Sequence, residues 1–299
     1  DGSRSSPIWA DVQGKVEVLV ENDSISSGQA KRYIAKAREI LEGEVMPSYR
    51  EIFAWLQQDK ALASEISQGV WALPNGENYY SYRLAQMTTL ELSADEIHEI
   101  GLAEVDRLHL AMEQIKIRVG FNGSLQDFFV FMREDERFYF PNTDKGRQDY
   151  LDLNNQYLDA ITLKLPDYFG RLPKAQLEVR RVEHFREQAG AAQHYASGTP
   201  DGSRPGVFYS HMSDMSTLPI FQIEDVAYHE GSPGHHMQIS IQQELTGVPR
   251  FRTQYRTTAY TEGWGLYAEW LAKEMGAFED PYSDFGRLSG ELWRAIRLV

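Results

Sequence analysis

Apolar residues recur at three- and four-residue spacing along most of the chain, which predicts helices. After a polar start, Ser26 or Ser27 opens such a pattern through Tyr33, Ile34, Ala37, Ile40, Leu41 and Val45, and Pro47 predicts its end. Helical character resumes from Ser48 through Ile52, Phe53 and Leu56, and Pro74-Asn75-Gly76 predicts a turn. Ser93-Ala94-Asp95-Glu96 is a capping box leading into Ile97, Ile100, Val105, Leu108, Met112 and Ile115, a long amphipathic helix. Ser124 predicts a short helix carrying Phe128, Phe129, Val130 and Met132, and 144–165 reads as one more. Phe128-Phe129 and Phe138-Tyr139-Phe140 read as inter-helix packing rather than as a cofactor box.

Between 173 and 212 the period changes. Residues 177–182 alternate as a strand does, 200–206 is a loop, and Val207-Phe208-Tyr209 is a second short strand. Leu218-Pro219 then leads into a helix through Ile220, Ile223, Val226 and Ala227 that delivers His229 and Glu230. Met237, Ile239, Ile241 and Leu245 continue it until Gly247-Val248-Pro249. Another helix starts with Thr261 near its cap and carries Trp264, Leu266, Tyr267 and Trp270, and 290–299 begins a last one. The pattern predicts a mainly α chain with a small sheet or hairpin. Residues 1–172 form one wall of a cleft, 173–299 carry the site and the sheet, and the whole reads as one continuous domain.

Composition narrows the function. With 42% hydrophobic and 25% charged residues over 299 positions, the chain is an ordinary globular one. Its net charge of −14 excludes nucleic acid as a partner and disfavours acidic substrates unless a local basic pocket reverses the field. There is no cysteine, so any metal site must use histidine and carboxylate ligands. No apolar run approaches the roughly 20 residues that span a bilayer, and Asp1 to Pro7 contains no signal-peptide core.

The chemistry concentrates at His229-Glu230-Gly231-Ser232-Pro233-Gly234-His235-His236, where three of the eight histidines fall within eight residues. On a helix, H-E-x-x-H puts two imidazoles on one face with the glutamate at the metal-bound water. Here Pro233 stands where the second histidine would be. Along a regular helix His235 lies about 120° off the face of His229, and His236 about 10 Å along the axis. Neither pair could clasp one ion on an unbroken helix. Pro233, Gly231 and Gly234 supply the break, so 231–234 is predicted to leave the helix as a bulge or short loop. His235 then takes the place of the i+4 histidine with two residues looped out. His236 needs three, and is the alternative ligand, or else bonds a carboxylate near the metal or packs away from it. His98-Glu99 has no second histidine at metal spacing, since 101 and 102 are Gly101 and Leu102. His109, His184, His194 and His211 read as packed or solvated.

A third ligand is expected downstream, and Thr261-Glu262-Gly263-Trp264-Gly265-Leu266-Tyr267-Ala268-Glu269 offers one. An E-G-aromatic stretch after an HE motif resembles the Glu-zincins, such as the aminopeptidase N and thermolysin groups, which implies Glu262 as that ligand. Glu269, two turns on, is a candidate for orienting a ligand. HEGSPGHHMQ followed by TEGWGLYAE, with DGSRPGVFY, YYSYRLAQMTTLELSADEIHEIGLAEV and LWRAIRLV, resembles the bacterial "domain of unknown function 885" family (DUF885), placed among the zincin-like metallopeptidases. The resemblance implies a zincin-like helical fold, zinc peptidase activity and a secreted or lipid-anchored location. It also implies a longer protein than this chain, truncated at both ends.

Those roles give a concrete expectation. One zinc per chain sits on His229, His235 and Glu262, and Glu230 is the general base in hydrolysis of a peptide substrate. An edge strand of the small sheet would hold the substrate backbone in the manner of zincins, or the strands would form a structural hairpin. Tyr209, Tyr255, Tyr260, His211 and Arg256 are the candidate oxyanion donors, with Tyr209 and Tyr260 expected at the substrate. The alternatives are a zincin-like scaffold that binds metal or peptide without turnover, and a non-haem iron site on the same two histidines and carboxylate.

Overall fold

The computed structural model describes residues 6–63, 66 and 68–299; the polar start at Asp1 to Ser5 lies outside the described residues. The chain divides into two compact units, Asp1–Pro74 and Asn75–Val299, at the turn predicted from Pro74-Asn75-Gly76. Residues 75–172 therefore belong to the same unit as the sheet and the histidine stretch.

The first unit is helical: α1 (Pro7–Glu21), α2 (Ser27–Ile40), a π-helical turn (Leu41–Val45) and α3 (Met46–Lys60). Helix α1 was not predicted, although Pro7 in its first turn is a start signal. Ser26 caps α2 with Gln29 in a reciprocal capping box. The predicted end at Pro47 does not occur. The turn before it widens to π geometry, which keeps a carbonyl clear of the proline ring, and the chain continues as α3.

The second unit contains α4 (Gly76–Thr88), α5 (Ala94–Arg118), α6 (Leu125–Glu134), α7 (Asp144–Thr162), α8 (Leu165–Tyr168), β1 (Leu177–Arg181), β2 (His194–Ala196), β3 (Gly206–Ser210), α9 (Ile223–Glu230), α10 (His235–Gln243), α11 (Thr258–Glu274) and α12 (Pro281–Ile296). The capping boxes at Ser93/Glu96 and Ser124/Asp127 open α5 and α6 as predicted. Two starts differ. Helix α11 is capped by Thr257, not Thr261, and α12 begins at Pro281 behind the Asp280 cap rather than at 290.

The long α5 packs along α12 through Leu108, Met112, Leu288 and Leu292. Phe128 meets Phe285 edge-to-face at 4.7 Å and Phe138 meets Phe221 at 5.5 Å, so the aromatic clusters pack between helices, as the sequence reading expected. The two predicted strands pair in parallel, and β2 adds antiparallel to the other edge of β3, in the order β1-β3-β2. The element is thus a three-stranded sheet rather than a hairpin. Parallel neighbours need a crossover, and β2 lies within it; at three residues it is too short to show alternation in sequence. Phe208 of β3 packs with Leu158 of α7 and Ala227 of α9, which seats the sheet against the helix that carries His229 and Glu230. That helix is anchored by buried Glu224, which accepts from Phe278 N at 2.8 Å, Tyr228 Oη at 3.1 Å and Ser283 Oγ at 2.5 Å.

Candidate metal centre

Helix α9 ends at Glu230, the four residues 231–234 leave helical geometry, and α10 opens on His235. This is the loop-out that Gly231, Pro233 and Gly234 predicted. The backbone turns very tightly, since a Cβ on Gly234 would lie 2.0 Å from the His229 carbonyl oxygen. The loop is tied to α11 by Trp264, whose Nε1 donates to the Pro233 carbonyl at 2.8 Å.

Turned back in this way, His235 faces His229 with ring centroids 4.5 Å apart. Glu262, in the first turns of α11, completes the group: its Oε2 lies 3.6 Å from His229 Nε2 and its Oε1 3.7 Å from His235 Nε2. One donor atom from each of the three lies within 4.8 Å of the others. Ligands about 2.0–2.2 Å from a tetrahedral zinc are separated by roughly 3.4 Å, so the three side chains fit one such ion. Gly265 sits one turn beyond Glu262, where a Cβ would be 2.5 Å from His229 Cε1. The second glycine of the EGWG stretch is what lets the imidazole lie against α11.

Behind the three donors lies a buried polar layer. Glu269, only 1% exposed, accepts from His229 Nδ1 at 2.6 Å, which fixes the tautomer that leaves Nε2 free for a metal. Arg294 of α12 reaches the same Glu269 oxygen at 3.1 Å. Burial holds the Asp225 carboxyl well above the usual range, and the negative charge of Glu269 adds to it. Asp225 Oδ1 and Glu269 Oε2 are both buried with no other partner. Burial thus favours the neutral acid at Asp225, which can donate to Glu269. Changing Glu269 to Gln is expected to weaken zinc binding about 10- to 100-fold. Competition with a chelator of known affinity measures this, and an unchanged affinity would remove Glu269 from the site.

The ionisation states follow from the same layer. Burial opposes a proton on His229, but hydrogen bonds to Glu262 and Glu269 outweigh it and hold the ring up to about 10. Burial and the neighbouring His229 charge push His235 down to about 4. Hydrogen bonding to His229 holds the Glu262 carboxyl below its ordinary range. Burial lifts Glu230 to about 7, with Glu262 adding to the effect, and its Oε2 is buried without a partner.

The other predicted residues divide. His236 points away from the three donors: its Nδ1 lies 3.1 Å from Tyr195 Oη, and burial keeps it neutral, down to about 4. Tyr209 stacks on His194 at 5.3 Å, Tyr260 is exposed beside Trp264, and neither lines the cavity that holds the site. Tyr255 is exposed, and His211 accepts from Gln188 N at Nδ1, 3.2 Å. Arg256 does line the cavity, whose volume is about 930 Å³. Strand β2 and Arg294 also line it and were not predicted. No sequence spacing ties Arg294 to a histidine 65 residues away.

A family profile described as "Bacterial protein of unknown function (DUF885)" matches residues 7–299. No curated protein matches the chain. Among solved structures, the chain is similar to "the putative lipoprotein from Colwellia psychrerythraea", with 34% identity and a TM-score of 0.88 over 99% of this chain and 50% of that one. The chain thus spans about half the length of that protein. Among the described residues no helix is long and apolar enough to cross a membrane.

Proposed function

We propose that this chain, which belongs to the bacterial DUF885 family, is a zinc-dependent peptidase of zincin-like type holding one zinc per chain. The observation that carries this is the convergence of His229, His235 and Glu262 in one cavity with Glu230, whose buried Oε2 has no partner among the described residues. A zinc held by those three side chains would acidify a water and polarise a carbonyl. Glu230 takes the proton of the attacking water and returns it to the leaving amine. The backbone amide of Tyr195, in β2, lies beside the Glu230 carboxylate and favours the charged form. The same strand lines the cavity, where an extended peptide could add alongside it, the β-addition expected of a strand beside the site. The strand that lines the cavity is β2, whereas the sequence suggested β1 or β3 for this role. Glu230 also favours zinc hydrolysis over a non-haem iron site, because oxygen activation has no need of a base there. A structural relative described as a "putative lipoprotein" supports a location outside the cytoplasm, secreted or lipid-anchored.

The test is elemental analysis of native protein beside Glu262→Ala, followed by a peptide panel. One zinc per chain, lost in the variant, with cleavage of peptides by the native protein, is the expected result. Zinc retained in Glu262→Ala removes it from the ligand set. Bound zinc with no cleavage of any peptide leaves a binding scaffold.

The proton on His229 gives a further expectation. Zinc can bind only after that proton leaves, whereas His235, at about 4, has already lost its own at neutral pH. The His229 pKa in the folded protein is raised, to about 10, so the proton competes with zinc at every pH below that value. Between roughly pH 7 and 9, zinc affinity should therefore rise about tenfold per unit, one proton released per ion. A flat profile in competition titrations would show that His229 is already neutral in the metal-free protein.

A further inference from the structure

The cavity beside the proposed metal site differs in charge from the rest of the molecule. The protein as a whole carries −14, yet the cavity is lined by Arg256, Arg294 and Arg297. Of the acids in the same lining, Glu262 and Glu230 have their own tasks, Glu269 is held by His229 and Arg294, and burial disfavours a charge on Asp225. Arg294 is therefore occupied. Arg297 is spent on the face of Trp293, at 4.5 Å from its ring.

Arg256 is the cation left over, and it is held in place. Gln242 of α10 donates to the carbonyls of Arg252 and Tyr255, at 2.9 and 2.6 Å, which pins the loop in front of α11. Thr257, the next residue, caps that helix. The Arg256 Nη2 donates to Ser197 Oγ at 2.9 Å, a neutral acceptor one residue past the end of β2. Among the described residues, five guanidinium donors thus meet one hydroxyl, at the end of the strand that lines the cavity.

We propose that Arg256 is the anchor for a carboxylate of the ligand, so that a peptide lying along β2 is selected by a negative group at the Ser197 end of the cavity. This rests on the peptidase reading for the identity of the ligand as a peptide. The carboxylate is either the chain terminus, which would make the activity a carboxypeptidase, or an acidic side chain. Both present the planar pair of oxygens that a guanidinium matches. The long-range field of the protein disfavours such ligands, so selection must come from a local cation of this kind.

The experiment measures binding by calorimetric titration on zinc-loaded Glu230→Gln protein, in which the probe is not consumed. The probes are acetyl-tetra-alanine with a free C-terminus against its amide, and an amidated peptide ending in Glu against one ending in Gln. A preference of about 10- to 100-fold for the carboxylate in either pair is expected, the pair showing it identifying the source. Adding Arg256→Gln should bring that ratio close to one, and Arg256→Lys should restore part of it. Equal binding within both pairs, or a ratio that survives Arg256→Gln, overturns the proposal. A variant that merely disturbs the loop would weaken both members of a pair and leave the ratio standing, which counts against it. Selective binding with no hydrolysis when Glu230 is intact would refute the peptidase reading and leave the carboxylate anchor in place.

Discussion

Replacing Glu230 by Gln is expected to lower peptide hydrolysis by about 10²- to 10⁴-fold, the usual contribution of a positioned general base, while zinc stays at about one per chain. The amide is nearly isosteric and keeps an oxygen to accept the Tyr195 amide, so the geometry around it survives. It cannot accept the proton of the attacking water. Stability should not fall, because Glu230 is 8% exposed and its Oε2 has no partner. Neutralising a carboxylate that burial already disfavours, one oxygen of which has no partner, costs little. The measurements are hydrolysis of a peptide panel, zinc content and thermal melting on one preparation. Full activity would exclude Glu230 as the base. Loss of zinc would mean that Glu230 holds the metal instead.

What the sequence revealed of this site depended on distance along the chain. The break at 231–234 was legible because two glycines and a proline in four residues leave the helix few alternatives, and the placement of His235 followed from it by helix geometry. Capping boxes at Ser93 and Ser124 were legible for the same reason: each is decided within four residues. Glu262 was reached only through a resemblance, since nothing local says which downstream carboxylate comes back. Arg294 and Asp225 could not be found, because their roles exist only once α12 and α9 are packed around Glu269. Strand β2 was missed because three residues carry no usable period, although its place at the edge of β3 brings it to Glu230. The break read at Pro47 shows the converse error, a local rule overridden by a π-turn.

The two adjacent histidines should respond in opposite ways to truncation. His235→Ala removes one of three ligands from a site whose total binding energy is on the order of 10–16 kcal/mol, so zinc affinity should fall by at least about a hundredfold and hydrolysis should disappear with it. His236→Ala should keep zinc, since its ring is turned to Tyr195 at 3.1 Å and not to Glu262. What it loses is packing: a buried ring, the edge-to-face contact with Tyr195 at 5.6 Å and that hydrogen bond. The cost should be about 1–3 kcal/mol of stability, because the Tyr195 hydroxyl keeps only Ser240, at a longer 3.4 Å. Melting curves with and without zinc separate the two effects. An ion that binds only the folded state adds about 4 kcal/mol at a thousand times its dissociation constant. His236→Ala should therefore start from a lower melting temperature and still rise when zinc is added, and His235→Ala should show little rise at all. If the zinc response vanished in His236→Ala and survived in His235→Ala, the loop would have to release three residues rather than two, and the second ligand would be His236.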